Sequence, residues 1–172
     1  FEGNLSLYKT ALRDVLPGAP TGNEIDERFR PTVTDLGERH PVTAELPGDS
    51  GAGNATWGHW FRQGDVVPAS PETNVVMTGA DGRPLLLLAH AGDGRVAQLA
   101  SDQIWLWSRG YDGGGPQAEL LRRLAHWLMK EPELDENQLT AVAKNRQIVV
   151  TRRSLEASST PPAVSVTDPN GR

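Results

Sequence analysis

Chemistry in a chain without cysteine must come from hydroxyls, imidazoles, carboxylates and backbone amides. The string GDSG, Gly48 to Gly51, matches the nucleophile motif of trypsin-like proteases. A triad also needs a histidine base and a buried aspartate brought to the serine. His40 stands in RHPVTAE, which is not the histidine signature of those enzymes, so Ser50 reads as part of a turn within a flexible loop from Pro47 to Ala55. The four histidines, His40, His59, His90 and His126, form no His-x-x-x-His pair and are too scattered for a metal site. His90 is the one placed to face a cleft, because it lies near the end of an apolar strand, where open α/β sheets bind ligands; packing is the alternative. Ser101 and Asp102 stand at the next strand end on the same ground. Otherwise Asp102 caps a turn, and Trp105 and Trp107 either fill the core or, if exposed, stack on a sugar or a partner. In YDGGGPQAE the glycines Gly113, Gly114 and Gly115 run into a helix, whose free N–H groups and positive end suit an anion. There is no GK[ST], and the glycines could equally serve only a tight turn. His90, Ser101, Asp102, Gly113, Gly114 and Gly115 together form the expected ligand cleft. No catalytic residue, metal or cofactor is expected, since zero cysteine excludes thiolate nucleophiles and thiolate-ligated zinc or iron–sulfur centres.

These residues must be positioned by short elements, because Gly 18 and Pro 13 punctuate the chain. A helix is expected over Leu7 to Leu16, stopped by Pro17-Gly18, and an irregular stretch from Ala19 to Val42. Trp57, Trp60 and Phe61 are expected in the core. Strands are predicted at Asn74 to Gly79, Pro84 to Ala91 and Gly94 to Ser101, the last two joined by a hairpin at Gly92-Asp93-Gly94. Leu85 to Leu88 is apolar at consecutive positions, so that strand should be covered on both faces. The best helix follows Pro116, with Leu120, Leu121, Leu124, Trp127 and Leu128 on one stripe. A second helix is expected over Leu134 to Asn145, capped by Asp135. QIVVTRRSL and PAVSVTDPNG alternate like strands.

The chain has 172 residues, 17 basic against 22 acidic, a net charge of −5 and a pI near 5.4. That length suits one domain. The acidic balance argues against nucleic acid as a partner, which would need a clustered basic face. Leu85 to Ala89 is the longest apolar run, far short of the ~20 residues of a membrane span. The start at Phe1 and the stop at VTDPNGR suggest a piece excised from a longer protein.

Three segments, GERHPVTAELPG, RPLLLLAHAGDGRVAQLASDQIWLWSRGYDGGGP and AELLRRLAHWLMKEPEL, together resemble the class I glutamine amidotransferase-like superfamily. Within it they are most similar to the branch found inside large bacterial membrane proteins. The resemblance spans roughly residues 5–155. It implies an α/β fold: a flavodoxin-like three-layer sandwich, truncated, over residues 1–146, with a β-strand extension over residues 147–172. Working members use a cysteine on a strand-to-helix elbow, with a histidine and a glutamate after a late strand. Here Ser101-Asp102 follows the corresponding strand, and the elbow would lie upstream of Phe1. The resemblance therefore implies a non-catalytic binding or scaffolding domain with an unidentified ligand or protein partner. Its setting would be an inner-membrane-anchored bacterial protein, touching the membrane only through flanking segments. The alternative is a hydrolase or amidotransferase-like enzyme whose nucleophile lies upstream.

Overall fold

The computed structural model describes residues 7–51, 55–145, 147–156, 163 and 165. Strands β1 (Gly18–Ile25), β2 (Thr32–Val33), β3 (Gln63–Pro68), β4 (Asn74–Thr78), β5 (Pro84–Ala91) and β6 (Gly94–Leu99) come first. Helices α1 (Trp105–Ser108) and α2 (Gln117–Leu128) follow, then strands β7 (Gln138–Lys144) and β8 (Gln147–Arg153). The main sheet has the order β2-β4-β5-β6, while β1-β3 and β7-β8 are separate two-stranded ribbons, and every pairing is antiparallel.

This corrects the expected flavodoxin-like three-layer sandwich, which needs parallel strands joined through helices. The links decide it. β4 reaches β5 through residues 79–83, and β5 reaches β6 through Gly92 and Asp93, with Ala91 paired to Gly94. A parallel crossover takes a dozen or more residues, so strands this close in sequence can only return antiparallel. The turn between β5 and β6 holds Gly92 at φ +56, a conformation glycine adopts without steric cost.

The expected double cover of Leu85 to Leu88 is present, and all four side chains have zero exposure. Leu86 and Leu88 pack in a core with Leu120, Leu124 and Trp127 of α2, whereas Leu87 packs with Val66 of β3, Val75 and Ala100. One cover is thus a helix and the other a β-ribbon. Trp57, Trp60 and Trp107 are buried and meet ring to ring, with Trp107 centroids 5.2 Å from Trp57 and 4.8 Å from Trp60. Phe61 is half-buried, and Trp105 faces outward at 52% exposure.

Two helix expectations fail for local reasons. Leu7 to Leu16 forms two 3-10 turns instead, because the Thr10 hydroxyl donates to the Leu7 carbonyl at 2.6 Å and accepts the Leu12 N–H at 3.2 Å, ending one turn and starting the next. Leu134 to Asn145 contains no α-helix; Leu134 only ends a 3-10 turn begun at Pro132. Asp135 turns aside to Arg95, and β7 finds a complete ladder on β8, from Gln138 opposite Arg153 to Lys144 opposite Gln147. Asn145 begins that turn at φ +52, which asparagine tolerates better than most residues. Residues 52–54 of the expected Pro47 to Ala55 loop, and most of PAVSVTDPNG, lie outside the described residues.

Candidate functional site

The most closely knit group of ionisable side chains gathers beneath the C-terminal end of α2. His40 comes from a run of turns after β2, held against β4 where Thr34 donates its N–H to the Val76 carbonyl at 3.2 Å and its hydroxyl to the Val75 carbonyl at 2.8 Å. Gly37 permits that approach, since a Cβ there would stand 2.1 Å from the Val76 carbonyl oxygen. His40 is fully buried. Its Nδ1 accepts the Val42 N–H at 3.2 Å, which assigns the proton to Nε2, and Nε2 donates to Glu136 Oε1 at 3.2 Å. The same oxygen accepts Trp127 Nε1–H at 3.2 Å, and His90 Nε2 stands 4.0 Å from it. The His40 and His90 rings both meet Trp127 edge-on, at 5.8 and 6.0 Å. Arg95 closes the group. Its guanidinium lies 5.2 Å over the Trp127 ring and donates to the Trp127 carbonyl at 2.7 Å and to Asp135 at 2.6 Å.

Burial pushes the Glu136 carboxyl up, but the His40 hydrogen bond, the nearby His90 and the Trp127 N–H together outweigh it, so the group sits below its ordinary value. Chemically this is a carboxylate spent on holding donors. Both His40 nitrogens are engaged, Nδ1 by the Val42 N–H and Nε2 by Glu136, so neither is available for proton abstraction. His90 is half-exposed and opens on a cavity of about 670 Å³, shared with Tyr8, Arg13, Ser70 and Thr73.

Ser101 and Asp102 lie at the other end of the sheet. β6 pairs Arg95 with His90 and continues six residues before Ser101, a separation of about 20 Å along a strand. The Ser101 hydroxyl donates to the Arg62 carbonyl at 2.6 Å and accepts the Gln103 N–H at 3.2 Å, clamping the chain where it leaves the sheet. Asp102 is exposed and pairs with Arg62 at 2.5 Å, whose Nε also meets Glu24 at 3.3 Å. These residues line a separate cavity of about 270 Å³. His90 and the Ser101-Asp102 pair therefore do not share a cleft.

Gly114 and Gly115 serve packing, and Gly113 holds a left-handed backbone at φ +93. Gly114, at φ +73, accepts the Gly58 N–H on its carbonyl at 2.6 Å, and a Cβ on Gly115 would stand 2.4 Å from the Trp107 ring. The same loop carries a second imidazole–carboxylate pair. Asp112 accepts from His59 Nδ1 and from its backbone N–H, and Arg28 adds a contact at 3.3 Å. The His59 hydrogen bonds, with help from Arg28, hold the Asp112 carboxyl down to about 2. The pairing through Nδ1 turns the His59 Nε2 away from the carboxylate. The remaining histidine, His126, pairs with Glu131.

The residues missed by sequence reasoning are Glu136, Asp112, Arg28 and Arg95. Asp112 stood inside the glycine-rich string, where an aspartate before glycine is a turn signal, and the structure gives it a left-handed backbone at φ +50. Among the described residues no group of three or more histidine, aspartate or glutamate side chains is arranged to hold a metal ion, and no helix is long and apolar enough to cross a membrane. No known protein family, curated protein or solved structure matches this chain.

Proposed function

We propose that this chain is a binding or scaffolding domain that performs no catalysis itself. The observation that supports it is the fate of the groups with chemical potential. The His40 nitrogens, the Glu136 Oε1 and the Ser101 hydroxyl are all consumed by bonds that hold the backbone and the core together. A catalytic base needs a free lone pair within reach of its proton. Placement within a larger, membrane-anchored bacterial protein rests on the sequence resemblance to class I glutamine amidotransferase-like domains, and on nothing in the antiparallel sheet.

A second reading draws on the His59–Asp112 pair, which has the orientation of a base held by a carboxylate through Nδ1. It would belong to a hydrolase or amidotransferase-like enzyme whose nucleophile is supplied from outside these residues. The test is turnover of glutamine and of an activated ester by the intact protein. The binding reading expects no rate above buffer. Hydrolysis lost on His59→Ala or Asp112→Ala would decide for the enzyme.

A further inference from the structure

Among the described residues, the ribbon β7–β8 carries a run of exposed apolar side chains on a strand pair. Leu139, Val142, Ile148 and Val149 are 62, 60, 56 and 55% exposed. At its base Arg153 donates to the Glu133 carbonyl at 2.6 Å, and Arg39 to the Leu155 carbonyl at 3.1 Å. Among the described residues β7 and β8 pair with each other and with no further strand. A lone two-stranded ribbon is marginal in water, and an open edge rich in β-branched residues, here Ile148-Val149-Val150-Thr151 on β8, is a template for another strand.

Charge says what kind of strand. Residues 137–155 contain Lys144, Arg146, Arg152 and Arg153 and no acidic residue, while the rest of the chain has 13 basic against 22 acidic. Pairing two such ribbons edge to edge would join two segments with eight basic residues and no acidic one between them, so a second copy is the wrong occupant. An acidic strand is the complementary one. We propose that the β8 edge accepts an extended acidic segment of a partner protein as a third strand. The backbone supplies the ladder, and alternate apolar side chains lie beside Ile148 and Val150. Carboxylates on the other face lie beside Thr151 and Arg153, with Lys144, opposite Gln147, on that same face one strand further in. Lys144 is exposed and Arg153 is half-buried. This assignment rests on the reading of the chain as a binding domain and names the class of partner.

The test is fluorescence anisotropy with the whole chain and two labelled peptides of about ten residues, one alternating valine with glutamate and one alternating valine with lysine. The glutamate peptide should bind at least tenfold more tightly, and more weakly as salt rises. Combining Lys144→Glu with Thr151→Glu, both exposed on the face that meets the carboxylates, should invert the preference while leaving thermal unfolding unchanged. Equal binding of both peptides, or none at millimolar peptide, would overturn the proposal. Dimerisation without peptide binding would assign the edge to a second copy instead. Sedimentation with phosphatidylserine-containing vesicles, again without peptide binding, would assign it to a lipid surface. Glutamine or ester turnover would defeat the binding reading while leaving the peptide result interpretable, so the two failures are distinguishable.

Discussion

Removing the Glu136 carboxylate should cost stability through the donors it leaves behind. Its Oε1 accepts from His40 Nε2 and Trp127 Nε1, each at 3.2 Å, and both donors belong to fully buried side chains. An orphaned buried donor costs about 1–3 kcal/mol, so two cost about 2–6. Glu136 itself is 12% exposed, which lets water reach the vacated position and favours the lower part of that range. We expect Glu136→Ala to lose about 2–3 kcal/mol. Glu136→Gln keeps an acceptor oxygen and gives up only the charge assistance, about 1 kcal/mol. With an urea m-value of about 2 kcal/mol per molar, the alanine variant should unfold roughly 1 M earlier, read by tryptophan fluorescence at pH 7. The pH dependence has a definite sign. A carboxyl held below its unfolded value contributes stability above that value, about 4.3, and loses it as pH falls through the folded one. The gap between the natural protein and Glu136→Gln should therefore shrink on acidification below about pH 4. An alanine variant within about 0.5 kcal/mol of the natural protein would refute the reasoning. So would a glutamine variant as damaged as the alanine one, because the loss would then come from charge rather than from unpaired donors.

Gly58→Ala should cost about 1–3 kcal/mol, since its Cβ would stand 2.2 Å from the Tyr111 carbonyl oxygen, and unfolding curves would show it. The Asp112 carboxyl, followed by NMR, should titrate near 2. His59→Ala should raise that midpoint further than Arg28→Ala, because the His59 side chain is the larger cause. The His59–Asp112 contribution is thus present above the ordinary carboxylate value and lost as pH falls toward 2. Trp105→Phe should leave stability within about 0.5 kcal/mol and remove most of the acrylamide-accessible fluorescence, as Trp57, Trp60, Trp107 and Trp127 are buried. Asn145→Gly should match or raise stability by up to about 1 kcal/mol, and Asn145→Val should lower it by about 1–2, measured by thermal melting.

Local pattern carried β4, β5, β6, their tight turn and α2, because each is defined by its own periodicity and its own punctuation. It also placed Leu85 to Leu88 between two layers, although not the ribbon that supplies one of them. That ribbon pairs Gly18 with Pro68, a long-range choice that no window of residues encodes. The short links around β5 argued for an antiparallel meander, and the resemblance to an α/β superfamily masked them. Leu134 to Asn145 was ambiguous for a different reason. Its leucines, alanines and valine fit either period, and the decision came from β8. The His40–Glu136 contact spans 96 positions, so neither residue signals the other in sequence. Trp105 and Trp107 show the same limit at short range, because α1 turns one inward and leaves the other outside.

The placement of β5, paired on both sides and covered on both faces, has a consequence for amide hydrogen exchange. The Leu86 and Leu88 amides sit where no local opening reaches them without dismantling the core, so they should exchange at the rate set by global unfolding. The β7–β8 amides, in an exposed ribbon, should exchange through small openings far sooner. One molecule thus carries two clocks, and a strand added at β8 would slow the fast clock while the slow one kept its time.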